Sequence, residues 1–383
     1  QVWREHPDMP LKVMTIVGTR PEIIKLSRII PELDRYIDHI LVHTGQNYAF
    51  ELNEIFFQEM GLRKFDYFLE AGGDTAAQTI GNVITRSDAV MAKERPEALV
   101  LLGDTNSCLA VIAAKRRQIP IFHLEAGNRC FDQRVPEEIN RKIVDHLSDF
   151  NLVYTEHARR YLVNEGLRPE TIIKIGSPMK EVLEYYRPQI DQSQILSQLG
   201  LTSGDYFVVS AHREENLDNP RNFDNLLLTL QTVSEKYGKP LIVSTHPRTR
   251  KKLENRGSLN LGPGIQLLKP LGFFDYVRLQ MQAFCVVSDS GTITEEASIL
   301  NFPAVTIRQA HERPEGMDVG TLVMCGLEPP RVLAAIDTVT AQHSKEHRSF
   351  KLVDDYNTDN VSQKVLRIIL SYTDYVNRTV WYK

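Results

Sequence analysis

Twelve short apolar runs punctuate the chain, and within each the apolar residues are continuous rather than alternating with polar ones. In the first half they are "LKVMTIV" (11–17), "HILVH" (39–43), "EALVLLG" (97–103), "IPIFHL" (119–124), "FNLVY" (150–154) and "TIIKI" (171–175). In the second half they are "DYFVVS" (205–210), "PLIVST" (240–245), "IQLLK" (265–269), "FCVVSD" (284–289), "PAVTI" (303–307) and "TLVM" (321–324). A strand with no polar face must be covered on both sides, which a parallel sheet flanked by helices provides. Small or polar residues and then a helical apolar period follow the runs, so the chain reads as strand, loop and helix in repetition. Its 383 residues suffice for about two domains. The expected fold class is α/β, with two Rossmann-like doubly wound domains facing a cleft. The polar stretch "EYYRPQIDQSQILSQLGLTSGD" contains no strand run and marks the division. We expect a first domain over 1–178, a second over 179–365, and a terminal helix over 366–383 returning to the first.

A net charge of −4 and an isoelectric point near 6.3 give no general attraction to nucleic acid or anionic membranes, so an anion site would have to be local. Cys108, Cys130, Cys285 and Cys325 are widely spaced, which suits reduced thiols in a cytoplasmic protein better than disulfides or a metal site. No apolar run reaches the roughly 18 residues a membrane span needs. The opening "QVWREHPDMP" reads as a short leader without a signal-peptide core.

In a doubly wound sheet ligands gather beyond the carboxyl ends of the strands, so the residues there carry the functional argument. After the first run, "GTRPEIIK" places Gly18, Arg20 and Lys25 at a helix start that favours anions; an ordinary surface ion pair is about as good a reading. Neither phosphate-loop nor dinucleotide glycine spacing occurs, which argues against nucleotide-triphosphate hydrolysis and nicotinamide chemistry. "LGDTNS" puts Asp104 at a strand end, where capping is the simplest role. "HLEAGNRCFDQRVPEEINR" then supplies His123, Glu125, Glu137 and Glu138. Asp104, Glu125 and Glu137 converging on one crevice could divide acid and base roles, although Glu137 and Glu138 equally well begin a helix.

The second half offers His212 and Arg213 in "SAHREEN", with His246 and Arg248 in a supporting loop. A histidine at a strand end beside an arginine is suited to proton handling near neutral pH. In "SDSGTITEE", helix-start N–H groups joined by the Ser290 and Thr292 hydroxyls around Gly291 could hold a diphosphate. Glu296 lies one turn on, where it could meet a ribose, and Arg313 in "HERPEG" offers a second phosphate ligand.

These motifs, in this order from about Leu11 to the terminal helix, resemble the non-hydrolysing UDP-N-acetylglucosamine 2-epimerase family. The resemblance implies a GT-B arrangement of the two domains, a UDP-sugar substrate, no cofactor and a homodimer. It implies acid-base roles for Asp104, Glu125, Glu137 and His212, and ligand roles for Arg20, Lys25, Ser290, Gly291, Glu296 and Arg313. Tyr276, in "GFFDYVRL", corresponds to a residue beside the uracil. "GNRCFDQRVPEEINRKIVDH" and the "NRTVW" tail are similar to the branch that acts on UDP-2-acetamido-2,6-dideoxy-L-talose. Two departures stand out: Asn47 replaces the histidine of a Gln-His pair in regulated members, and Cys130 to Arg134 replace the usual family loop. Such chemistry implies elimination and re-addition of UDP, with Arg129 or Arg141 orienting the carboxylates. A glycosyltransferase, a hydrolysing epimerase and a UDP-sugar sensor are the alternatives.

Overall fold

The computed structural model describes residues 11–46, 56–245, 247–255 and 261–383. The leader 1–10, Asn47, His246 and the Arg248 side chain lie outside the described residues. The chain divides into two compact units, one running to Val182 and resuming at Asp355–Lys383, the other Leu183–Asp354.

The first unit is built on β1 (Lys12–Val17), β2 (Asp38–His43), β3 (Tyr67–Phe68), β4 (Ala98–Leu102), β5 (Ile121–Ala126), β6 (Phe150–Val153) and β7 (Ile172–Lys174). They form a seven-stranded sheet in the order β3-β2-β1-β4-β5-β6-β7, and every pairing is parallel. The second holds β8 (Phe207–Ser210), β9 (Leu241–Ser244), β10 (Ile265–Leu268), β11 (Cys285–Ser288), β12 (Ala304–Thr306) and β13 (Val323–Met324). Its six strands run in the order β10-β9-β8-β11-β12-β13, again all parallel.

Each apolar run thus contains a strand, and the continuity of the runs has the expected cause. In the second unit Phe207, Val209, Leu241, Val243 and Val287 enter one buried cluster. Their neighbours Tyr206, Val208, Ile242 and Val286 enter another, so the sheet has core on both faces. β3 is the strand that no run announces. It is two residues long, paired Val42↔Tyr67 and His43↔Phe68, and is held by side chains instead. Phe68 stacks on the buried His43 ring at 5.3 Å, and the Tyr67 hydroxyl donates to Glu94.

The helix Val361–Val380 buries Val361, Val365, Leu366, Ile369, Thr373 and Val376, one stripe at helical spacing. That stripe packs on the helix Ile29–Tyr36, and Tyr372 lies against Phe150 at the start of β6 with ring centroids 4.2 Å apart. Asp355 fastens the returning chain by pairing with Lys174 at 2.9 Å and accepting the Glu156 N–H at 3.3 Å. Among the described residues no helix is long and apolar enough to cross a membrane. Ile369→Ala should lower the unfolding free energy in urea by about 2–5 kcal/mol through the cavity it leaves.

Candidate functional site

Strand order reverses between β1 and β4 in the first sheet and between β8 and β11 in the second. At such a switch point adjacent loops part in opposite directions and leave a crevice beyond the carboxyl ends. The chain after β1 is Gly18-Thr19-Arg20, after β4 Gly103-Asp104, after β8 Ala211-His212-Arg213, and after β11 Asp289-Ser290-Gly291.

In the first unit two strand-end carboxylates each have a buried cation. Lys25 Nζ pairs with Glu125 Oε2, both side chains almost wholly shielded from solvent. Arg141 holds Asp104 Oδ2 through Nε at 2.9 Å and Nη2 at 2.8 Å. The remaining Arg141 nitrogen, Nη1, donates to Glu138 Oε2 at 2.8 Å. Asp104 and Glu125 belong to one cluster: the charges of Glu22, Asp104 and Glu125 all act on the buried Cys108 thiol, whose pKa burial already raises. Glu125 itself has φ +61°, a left-handed conformation uncommon for a side-chain-bearing residue. It sits where the β5–β6 register shifts between Leu124 and Ala126, a bulge that turns its carboxylate out of the strand's alternation.

Of the two glutamates that begin the helix Pro136–Leu147, Glu138 is the buried one. Burial works against its charge, but the Cys130 N–H and the Arg141 guanidinium outweigh it and hold the pKa below the usual value. Glu137 is half-buried on the first turn of the same helix. The structure brings Lys25, Asp104 and Glu125 together with Arg141. The Arg20 guanidinium, on the same helix as Lys25, lies over the Phe56 ring, 4.5 Å from its centroid. Of the expected orienting arginines, Arg141 partners Asp104, whereas Arg129 is turned to Asp145 at 2.7 Å and Glu165 at 2.8 Å. A spacing argument could not see this, because both partners come from elements distant in sequence.

Glu22 is a site residue that the reading of strand ends passed over. Its Oε2 accepts the Gly18 N–H at 2.5 Å and the Thr19 N–H at 3.0 Å, and its Oε1 accepts the Thr105 hydroxyl. It therefore joins the loop after β1 to the loop after β4. Burial, opposed by these bonds and reinforced by Asp104, raises its pKa to about 7. The signal was in "TRPE", whose Thr-x-x-Glu spacing is a capping box. Gly18 is required by space, since a Cβ there would lie 1.8 Å from Ser107 Oγ and 2.5 Å from Thr44 Oγ1.

In the second unit the organiser is Asp289, fully buried at the end of β11. Its carboxylate accepts the backbone N–H groups of His212 (3.0 Å) and Arg213 (2.9 Å) and the Asn216 amide (3.0 Å). This pins the loop after β8 to the loop after β11. The His212 ring remains exposed, with Nδ1 3.2 Å from Ser210 Oγ. Ser290 Oγ and Thr292 Oγ1 are 3.1 Å apart where the helix Ile293–Leu300 begins. A Cβ on Gly291 would come within 2.5 Å of Glu312 Oε1, so the backbone there runs close to that carboxylate. Arg213 stands 3.8 Å from that same carboxylate oxygen, and the buried Arg313 lies 3.5 Å from Glu295. Glu296 accepts the Gln280 amide at 2.9 Å. Tyr276 is on the same helix as Gln280; its hydroxyl pKa is raised by burial and by the charge of Glu296. The expected hydroxyl, glycine, carboxylate and arginine groups of this unit therefore share one end of the sheet.

Two doubly wound parallel sheets, with cation-paired carboxylates at one switch point and a hydroxyl–glycine helix start at the other, define a two-domain α/β enzyme of the GT-B type. The sequence profile of UDP-N-acetylglucosamine 2-epimerase matches residues 31–370. A solved structure of UDP-N-acetylglucosamine 2-epimerase from Rickettsia bellii is 60% identical, with TM-score 0.92, over 98% of this chain and 100% of that one. The Methanocaldococcus jannaschii UDP-GlcNAc 2-epimerase, solved in complex with UDP-GlcNAc and UDP, is 32% identical with TM-score 0.87, over 94% of this chain and 100% of that one. A Pseudomonas aeruginosa UDP-2,3-diacetamido-2,3-dideoxy-D-glucuronate 2-epimerase is 34% identical over 82% of this chain and 88% of its own. The chain belongs to the UDP-N-acetylglucosamine 2-epimerase family and is an isomerase of the non-hydrolysing kind.

A carboxyl whose folded pKa lies above its unfolded one favours the folded state fully below the unfolded value, and that contribution is lost as pH rises through the folded one. For Glu22 the window runs from its ordinary 4.5 to about 7. Urea unfolding from pH 4.5 to 8 should therefore show Glu22→Gln gaining on the wild type as pH rises, by up to about 3 kcal/mol.

Proposed function

We propose that the protein inverts carbon 2 of a UDP-linked 2-acetamido sugar by eliminating and re-adding UDP through a glycal. We further propose that its substrate is UDP-2-acetamido-2,6-dideoxy-L-talose, converted to UDP-N-acetyl-L-fucosamine for a bacterial surface polysaccharide. The supporting observation is that Asp104 and Glu125 are neighbours, each beside its own buried cation. A cation at each carboxylate allows two acid-base groups to stand close despite their like charge.

The hydrogen on carbon 2 is barely acidic, because no neighbouring carbonyl carbon would stabilise a carbanion. In the elimination a carboxylate takes that proton, the C–H electron pair becomes the C1=C2 double bond, and the C1–O bond breaks to release UDP. In the return step an acid delivers a proton to the opposite face of carbon 2 and UDP re-forms the bond at carbon 1. We assign Asp104 and Glu125 to proton transfer, Glu137 to a second acid-base or orienting role, and His212 to the leaving diphosphate. Ser290, Gly291, Thr292, Arg213 and Arg313 would hold the diphosphate, Glu296 the ribose and Tyr276 the uracil, while Arg20 and Lys25 complete the sugar side. This reading requires the two units to act on one molecule, and a homodimer in the cytoplasm is its expected setting.

The 6-deoxy sugar draws support from the loop that departs from the family pattern. The Cys130 and Phe131 N–H groups both donate to Glu138, at 3.1 Å each, and Cys130 Sγ lies 3.6 Å from Arg141 Nη1. The arginine that holds Asp104 therefore also holds this loop, which exposes Phe131 to solvent. The names of the relatives favour a second reading, interconversion of UDP-N-acetylglucosamine and UDP-N-acetylmannosamine.

Incubation with each UDP-sugar in deuterated water, followed by NMR at carbon 2, separates these readings. Label incorporated into intact UDP-L-talose derivative supports the proposal, label only in UDP-N-acetylglucosamine supports the second reading, and free UDP without label refutes both. Glu125→Gln should cut exchange by about 100- to 10,000-fold while UDP binding, measured by calorimetry, is retained.

A further inference from the structure

His123, in β5, is fully buried between two acceptors. Its Nε2 lies 2.7 Å from the Gly103 carbonyl oxygen and its Nδ1 2.8 Å from Asp145 Oδ1. A carbonyl oxygen has no proton to give, so Nε2 must donate. Asp145 accepts Arg129 Nη1 at 2.7 Å and the Gly127 N–H at 3.1 Å on its other oxygen, the acceptor role of a guanidinium-paired carboxylate, so Nδ1 donates too. A ring that donates from both nitrogens is an imidazolium. Burial opposes that charge, but the hydrogen bond and charge of Asp145, with Asp104 adding to them, hold the pKa above the ordinary histidine value.

The two bonds end at informative places. Gly103, with φ +82°, immediately precedes Asp104, and Gly127, with φ +78°, lies two residues beyond Glu125. His123 therefore grips one turn directly and the other through Asp145. The far side of Asp145 is anchored in turn, because Arg129 is clamped on Glu165 by Nε and Nη2, both at 2.8 Å, and Glu165 also meets His146 at 2.8 Å. A chain of alternating charges thus runs from the turn at Asp104 to the protein surface.

We propose that His123, paired with Asp145, is a positioning residue that sets the two turns presenting Asp104 and Glu125 for proton transfer. The role rests on the epimerase reading, because it concerns where those carboxylates stand during exchange at carbon 2. Misplacing a reacting group by about 1 Å costs on the order of 100-fold in rate. A neutral imidazole carries one N–H and would leave either the Gly103 carbonyl or the Asp145 carboxylate without a donor.

Carbon-2 exchange is measured first on the wild type, so that failure of the epimerase reading appears there and not in the variants. Nitrogen-15 NMR of histidine-labelled wild type at pH 8 then reads the ring independently of activity. Both nitrogens of one histidine protonated is the expected result, and no such histidine overturns the proposal. His123→Gln should lower kcat by about 100-fold, with KM and the UDP dissociation constant within about threefold of wild type. Asp145→Asn should do the same, and the double variant should fall no further than either single one. Arg129→Lys, which keeps the charge and loosens the clamp, serves if the first two fail to fold, and should give the same kcat loss at smaller size. Variants whose kcat stays within about threefold of wild type, or falls only with the folded fraction seen by circular dichroism, would show a merely structural ion pair.

Discussion

A strand buried on both faces leaves little room for charge along its length and concentrates it in the loops at its ends. The central strands of both sheets follow that constraint, and the candidate groups after β1, β4, β8 and β11, with Glu125 next to last in β5, lie at their carboxyl ends. The helices bring further groups to the same edge. Arg141 is one turn beyond Glu138 on the helix Pro136–Leu147, so one face of that helix delivers both the cation for Asp104 and the acceptor for the Cys130 loop.

Charges gathered in this way are costly to desolvate, and buried ion pairs return little net stability. What they supply is definition. Lys25 with Glu125, Arg141 between Asp104 and Glu138, and Asp289 beneath His212 each fix a carboxylate or a loop in one arrangement. Glu22 and Asp289 play matching parts in the two units. Each is a buried carboxylate that accepts two backbone N–H groups and ties together the loops on either side of a switch point. The same device thus serves both sheets, although one unit presents carboxylates and the other hydroxyls and arginines.

The strands were legible because continuous apolar runs have one structural explanation, and β3 was not, because two residues held by aromatic contacts leave no run to read. Strand-end residues such as Asp104 and His212 could be named from position alone. Arg141 was named as an orienting partner and does hold Asp104, but Asp145 and Asp289 could not be named. Asp145 acts on Gly127 and His123 from a helix, and Asp289 acts on a loop 76 and 77 residues away. Hydrogen bonds of that kind depend on tertiary geometry, to which local spacing is blind. Glu137 and Glu138 stood side by side in sequence, and only the rotation of their helix decided which faces Arg141.

The backbone of Glu125 has a consequence for how this protein can change. Left-handed φ is a conformation that glycine adopts freely and a long side chain resists, at a cost on the order of 1–3 kcal/mol. Selection for a sturdier fold would favour glycine at this position, while selection for the proton transfer proposed for Glu125 would favour a carboxylate. The two pressures oppose each other at one residue, so any lineage that abandoned catalysis should be free to relax there first.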